Sequence, residues 1–187
     1  MKTKLFLVLI LVLSLLIAGC GKTETAPTEA TVSTTAPAQV GSFGAFEAED
    51  LLGNKVTESI FAGHKVTMVN IWGTFCNPCI NEMPDLAQLN KDFDGLQVVG
   101  IVIDAVGSDG KVIAKTYDEA VSIVKSTGAD YTHLLPSPSL AKCCLSGVTS
   151  IPVTIFVDGN GDIIGNAYIG SRSYPQWAAI ISSLPLE

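Results

Sequence analysis

The sequence predicts an α/β fold built on a mixed sheet, and three observations carry that expectation. Residues 66–72 and 96–103 are short, β-branched, almost wholly apolar runs, as suits central parallel strands covered on both faces. Helical spacing lies between and after them. Further on, Asp158-Gly159-Asn160-Gly161 is a strong turn signal between two more strand-like runs. The elements follow in chain order. Within 43–61, Gly53-Asn54 flanked by apolar residues predicts an N-terminal hairpin. After the first central strand, 80–93 reads as a helix in which Pro84 should clash with the Ile80 carbonyl and kink the axis. The glycine-rich polar loop at 104–115 is placed to influence partner choice. Ala120, Val121 and Val124 give 117–125 a helical face, and 139–145 reads as a short helical turn. Strands at 152–157 and 162–169 should pair antiparallel, and 174–184 closes the chain as a helix.

This domain, 43–187, is preceded by segments of another kind. Two lysines open the chain, and 5–17 is an apolar run broken only by Ser14, shorter than the roughly 20 residues a membrane span needs. Ala18 and Gly19 then supply small residues, so 1–19 reads as an export signal. Ile17-Ala18-Gly19-Cys20 resembles the lipobox of bacterial lipoproteins, which implies cleavage before Cys20 and a lipid anchor on it. The protein is therefore expected at the cell membrane, facing the extracytoplasmic side. Residues 20–42, rich in Thr, Ala and Pro, lack apolar periodicity and read as a disordered tether. The net charge of -7, with no basic cluster, argues against nucleic acid as a partner. With Cys20 assigned to lipid, four of the five cysteines remain in a compartment where disulfides persist.

Two of them form Cys76-Asn77-Pro78-Cys79, directly after the first central strand and at the start of the following helix. Residues three apart in a helix share a face with Cβ atoms roughly 5–6 Å apart, so small rotamer changes join or part the sulfurs. Cys76, at the helix start, faces free N–H groups and the positive end of the macrodipole, which favour thiolate. It is the expected nucleophile, and Cys79 the resolving thiol. Pro78 fits a first turn, where its missing N–H has no intrahelical acceptor. Zinc would need four ligands, whereas the other cysteines are adjacent and His64 and His133 stand alone. Both histidines read as surface or strand-edge residues. A structural staple closing so small a loop would restrict the unfolded chain very little. A peroxidatic cysteine would look for threonine three residues earlier, where Gly73 stands.

Trp72-Gly73-Thr74-Phe75-Cys76-Asn77-Pro78-Cys79, then Glu82-Met83-Pro84, then Ser150-Ile151-Pro152-Val153-Thr154, resemble the TlpA/ResA-like family of exported thiol-disulfide oxidoreductases. The similarity covers about 43–184 and implies a thioredoxin fold with an added N-terminal hairpin. It also implies that Ile151-Pro152 is a cis peptide facing the cysteines, with the Ile151 backbone offered to a client chain as an added strand. Trp72, Asn77, Pro78 and Ile151 are then the expected client contacts, and Pro152 joins Cys76, Cys79 and Glu82 in the catalytic set. Where plain thioredoxins carry a buried aspartate, this chain has Asn70, which cannot take a proton. Glu82, about one turn beyond Cys79, becomes the candidate acceptor of the Cys79 proton, with burial raising its pKa. No cofactor is called for, because the two sulfurs carry the electrons.

No positive charge stands between the cysteines, so the disulfide is expected to resist reduction and the protein to act as a reductase. The resemblance implies exported clients with disulfides, a role in cytochrome c maturation, and a membrane electron donor of the CcdA/DsbD type. Cys143-Cys144 departs from the family pattern. The pair could be a second redox couple, a Cu(I)-holding pair in a metal- or client-binding lipoprotein without turnover, or two small apolar residues of which at least one is buried and inert.

Overall fold

Around β3 (Val66–Trp72), every residue of which is buried, a five-stranded sheet is assembled in the order β5-β4-β3-β6-β7. The computed structural model describes residues 41–186. The signal segment, Cys20 and the tether up to residue 40 lie outside the described residues. β4 (Leu96–Val102) pairs parallel with β3, and β5 (Thr132–Leu134) parallel with β4. β6 (Val153–Asp158) runs antiparallel to β3 and to β7 (Ile163–Ile169). Helices α1 (Asn77–Asp92) and α2 (Ala114–Thr127) make the two parallel crossovers. Both crossovers step the same way along the sheet, so right-handedness puts both helices on one face. The closing helix α4 (Tyr174–Ile181) packs on α1 there.

Alternation along the strands divides the core in two. Val66, Met68 and Trp72 of β3 face α1 and α4 with Met83, Leu86, Leu89, Phe156 and Trp177. Val69 and Ile71 face the other way, onto Val99, Ile101, Ile155 and Val157. That second face is capped by Phe43, Phe46 and Phe61, packed edge-on with ring centroids 5.1–6.1 Å apart. The expected N-terminal hairpin is present as β1 (Glu47–Glu49) and β2 (Lys55–Thr57), a separate antiparallel pair. Asp50 closes its turn by accepting the Leu52 and Asn54 amides at 2.9 and 2.8 Å. Backbone bonds at 2.8–2.9 Å from Leu135 to Glu49 and from Leu51 to His133 tie the hairpin to β5.

Pro84 lies inside α1, which runs as one helix from Asn77 to Asp92. The edge strand β5 and the 3-10 turn Glu58–Phe61 were not anticipated. His133 does stand on the edge strand, but it is buried: Trp72 Nε1 donates to its Nδ1 at 3.1 Å, and its Nε2 bonds the Ala129 carbonyl at 3.0 Å. A Cβ at Gly100, the opposing residue on β4, would collide with the His133 ring, so the glycine leaves the room this pair occupies.

Candidate functional site

β3 ends at Trp72, and the chain turns sharply through Gly73-Thr74-Phe75 into α1, with the Cys76 amide bonded to the Gly73 carbonyl at 3.0 Å. Asp104, just past the end of β4, holds this turn from the side. Its carboxylate accepts the Thr74 amide at 3.1 Å and the Thr74 hydroxyl at 2.6 Å. Phe75 is thereby turned outward, 70% exposed, directly before Cys76. Its ring and the Ile151 side chain both lie about 3 Å from where a Gly73 Cβ would stand, so a side chain there would push the two apart by a few tenths of an ångström.

Cys76 is the N-cap of α1, its sulfur accepting the Cys79 amide at 3.3 Å. The two sulfurs are joined at 2.04 Å, with Cα atoms 5.3 Å apart. Cys76 keeps 6% of its surface and Cys79 none, so solvent reaches the pair only from the Cys76 side. Pro78 occupies the first helical turn, and both Asn77 and Pro78 are exposed beside the sulfur. Across the turn, Ile151-Pro152 is a cis peptide, with Pro152 buried just ahead of β6 and Ile151 half-buried against Gly73. Trp72 is the correction: fully buried and bonded to His133, it has no surface for a client and serves as the floor of the site.

Glu82 follows Cys79 on the same face of α1 and is only 3% exposed. Its Oε1 accepts Asn70 Nδ2 at 3.0 Å, and its Oε2 accepts the Arg172 amide at 3.1 Å and Trp177 Nε1 at 3.3 Å. Burial raises its pKa above the usual carboxylate range, and these donors together with the Arg172 charge hold the rise back. Asn70 Nδ2 also donates to Thr154 Oγ1 at 3.1 Å, linking β3, α1 and β6 through one amide. Tyr131 stacks on His133 at 4.4 Å; burial, and then the nearby Glu82 charge, push its phenol upward. Burial pulls His133 down to about 4, leaving it neutral.

Sequence reasoning missed Arg172, Asp104 and the burial of His133. Arg172 reaches Glu82 through its main-chain N–H, which no side-chain motif announces. Gly100, alone in an apolar strand, was the available sign that something packs closely there.

Cys143 and Cys144 lie in the π turn Ala141–Leu145, which continues α3 (Pro138–Leu140) on the second face of the sheet. They are free thiols with different partners, Cys143 Sγ donating to the Ala45 carbonyl and Cys144 Sγ to the Leu140 carbonyl, each at 3.4 Å. Burial, and next to it the neighbouring Cys143, push Cys144 up to about 12. The geometry brings neither sulfur to the other. Among the described residues no group of three or more His, Cys, Asp or Glu is arranged to hold a metal ion.

Comparison with known proteins places this geometry in context. The profile of the AhpC/TSA family matches residues 41–166. The thiol:disulfide interchange protein HelX of Rhodobacter capsulatus is 31% identical over 108 residues, 58% of this chain and 54% of that protein. The thioredoxin-like protein YneN of Bacillus subtilis is 30% identical over 135 residues, 68% of this chain and 69% of its own length. A crystal structure of a thioredoxin-family thiol:disulfide interchange protein from Chlorobium tepidum shares the fold, with a TM-score of 0.64 and 24% identity across 80% of this chain and 99% of that one. The chain spans between about half and two thirds of the length of the curated relatives that head the comparison.

Proposed function

The chain belongs to the AhpC/TSA family, and from that premise we propose that it is an extracytoplasmic thiol-disulfide oxidoreductase, a reductase of disulfides in exported proteins. One observation carries the reading. Cys76 caps α1 on the side of the pair that keeps some exposure, and it is joined to a fully buried Cys79 one turn in. Reduced, Cys76 attacks a client disulfide as thiolate; a Cys76–client disulfide forms and the client's second sulfur leaves. Cys79 gives its proton to Glu82 and attacks Cys76, closing the observed disulfide and releasing the client with two electrons gained. Exposed Phe75, Asn77, Pro78 and the half-buried Ile151 rim the sulfur and are the client contacts. Asn70 suits both states of Glu82: its Nδ2 donates to the carboxylate, and its Oδ1, buried without a partner among the described residues, can accept an O–H after a half-turn of the amide.

Recharging needs a membrane electron donor, and the CcdA/DsbD type is the one the family resemblance supports, with apocytochrome c among the clients. Cys20 is the proposed lipid anchor. Labelled palmitate should enter the exported protein and be lost in Cys20→Ser; full labelling of that variant would reject the anchor. The activity itself is tested by insulin disulfide reduction together with trapping. Cys79→Ser should accumulate mixed disulfides with exported proteins, and turnover that survives Cys76→Ser would reject the assignment.

A further inference from the structure

The turn from β7 into α4 lies across α1 like a strap. Two of its amides end on acidic side chains one turn apart: Arg172 N–H on Glu82 at 3.1 Å, and Tyr174 N–H on Asp85 at 2.8 Å. What holds the turn in that shape is the Arg172 side chain. Nη1 donates back to the Gly170 carbonyl at 2.9 Å and the Ile169 carbonyl at 3.4 Å. The guanidinium carbon lies 5.1 Å from the Tyr168 ring centroid and 5.0 Å from that of Trp177. Trp177 is itself a donor to Glu82. One side chain therefore touches both the peptide segment and the indole that close over the buried carboxylate. A planar cation does this, one nitrogen bonding both carbonyls while the flat group lies against two rings; a compact ammonium cannot make the bonds and the stacking together.

We propose that Arg172 is a positioning residue for Glu82, its guanidinium setting the 170–173 turn and the Trp177 ring so that their N–H groups meet the carboxylate. The proposal rests on reading Glu82 as the acceptor of the Cys79 proton. Around the carboxylate stand Asn70 from β3, Tyr131 from the approach to β5, Trp177 from α4, Cys79 and Asp85 on its own helix, and Arg172 from the turn. Among the described residues, Arg172 alone of these brings positive charge. Loss of the guanidinium removes that charge and loosens two donors, and both changes favour the neutral acid. Glu82 should then hold its proton to higher pH and accept one from Cys79 more readily, while giving it up more slowly at neutral pH.

The test uses the exported domain with its tether, reduced, as wild type, Arg172→Gln, Arg172→Lys and Glu82→Gln. Carboxyl-carbon NMR follows Glu82 directly, and quenched-flow alkylation separates attack by Cys76 from resolution by Cys79. In Arg172→Gln the Glu82 titration and the pH dependence of resolution should both move to higher pH, with the attack rate unchanged. Arg172→Lys, which keeps the charge without the planar stacking, should move them nearly as far. An unmoved Glu82 titration in Arg172→Gln, or its full restoration by lysine, overturns the positioning role. If instead Glu82→Gln leaves the pH profile of resolution intact while Arg172→Gln shifts the Glu82 titration, the reading of Glu82 as proton acceptor fails and the assignment to Arg172 stands.

Discussion

The protein carries two close cysteine pairs in its folded domain, and they have opposite fates. Cys76 and Cys79 are three residues apart at a helix start, where both side chains share a face and one sulfur replaces a cap. Cys143 and Cys144 are adjacent within a helical turn, where successive side chains point about 100° apart, and each thiol settles on a different carbonyl. Adjacency in sequence therefore separates the second pair, and spacing unites the first. The surroundings differ as well. The first pair has free N–H groups and a titratable neighbour behind it, whereas apolar packing around Cys144 favours the neutral thiol.

The contrast can be broken most sharply at Cys76. Replacing it with serine should lower insulin reduction by at least about a thousandfold, since among the described residues no other sulfur is placed to attack. Glu82→Gln comes next: resolution should slow by about a hundredfold, at the low end for a lost general base, with the pH dependence flattened. That substitution should also stabilise the fold at neutral pH. Burial raises the folded pKa of Glu82, so the folded chain favours the neutral acid and loses stability as pH rises through that pKa; glutamine has no such loss. His133 gives an effect of opposite sign. With its folded pKa near 4 against 6.5 unfolded, the unfolded chain binds the extra proton in that window, so stability falls on acidification by up to about 1.4 kcal/mol per pH unit. Denaturation followed between pH 7 and 4 should show this slope in the wild type and its loss in His133→Gln.

How much of this was legible beforehand varied with the range of the interaction. β3 was read at its observed limits because a run of seven residues, all apolar or β-branched except Asn70, needs no partner to declare a buried strand. The placing of Cys76 and Cys79 was equally local, a matter of one turn. The three-residue β5 was missed because Thr-His-Leu carries no period, and its strand character comes from pairing with β4. His133 looked exposed because its partner Trp72 is 61 positions away, and a histidine reads as polar until that donor is known. Trp72 was expected to meet clients because it borders the motif in sequence. Both faces of β3 are covered, so Trp72 is buried whichever way it points, and the turn that Asp104 holds at Thr74 leaves Phe75 outside.

The smallest effect bears on the second pair itself. Joining Cys143 to Cys144 would require both sulfurs to leave their carbonyls and the π turn to open, while burial leaves Cys144 only about one part in 10⁵ thiolate at pH 7 for a pKa near 12. Alkylation of the folded protein should therefore label the half-buried Cys143 first and Cys144 only when the turn opens. Replacing both with alanine should leave insulin reduction unchanged and cost about 1 kcal/mol, as for the loss of small, partly buried groups. A Cys143–Cys144 disulfide formed by mild oxidation in the variant lacking Cys76 and Cys79, with the fold intact, would erase the distinction. The second pair would then need a redox role that its present geometry opposes.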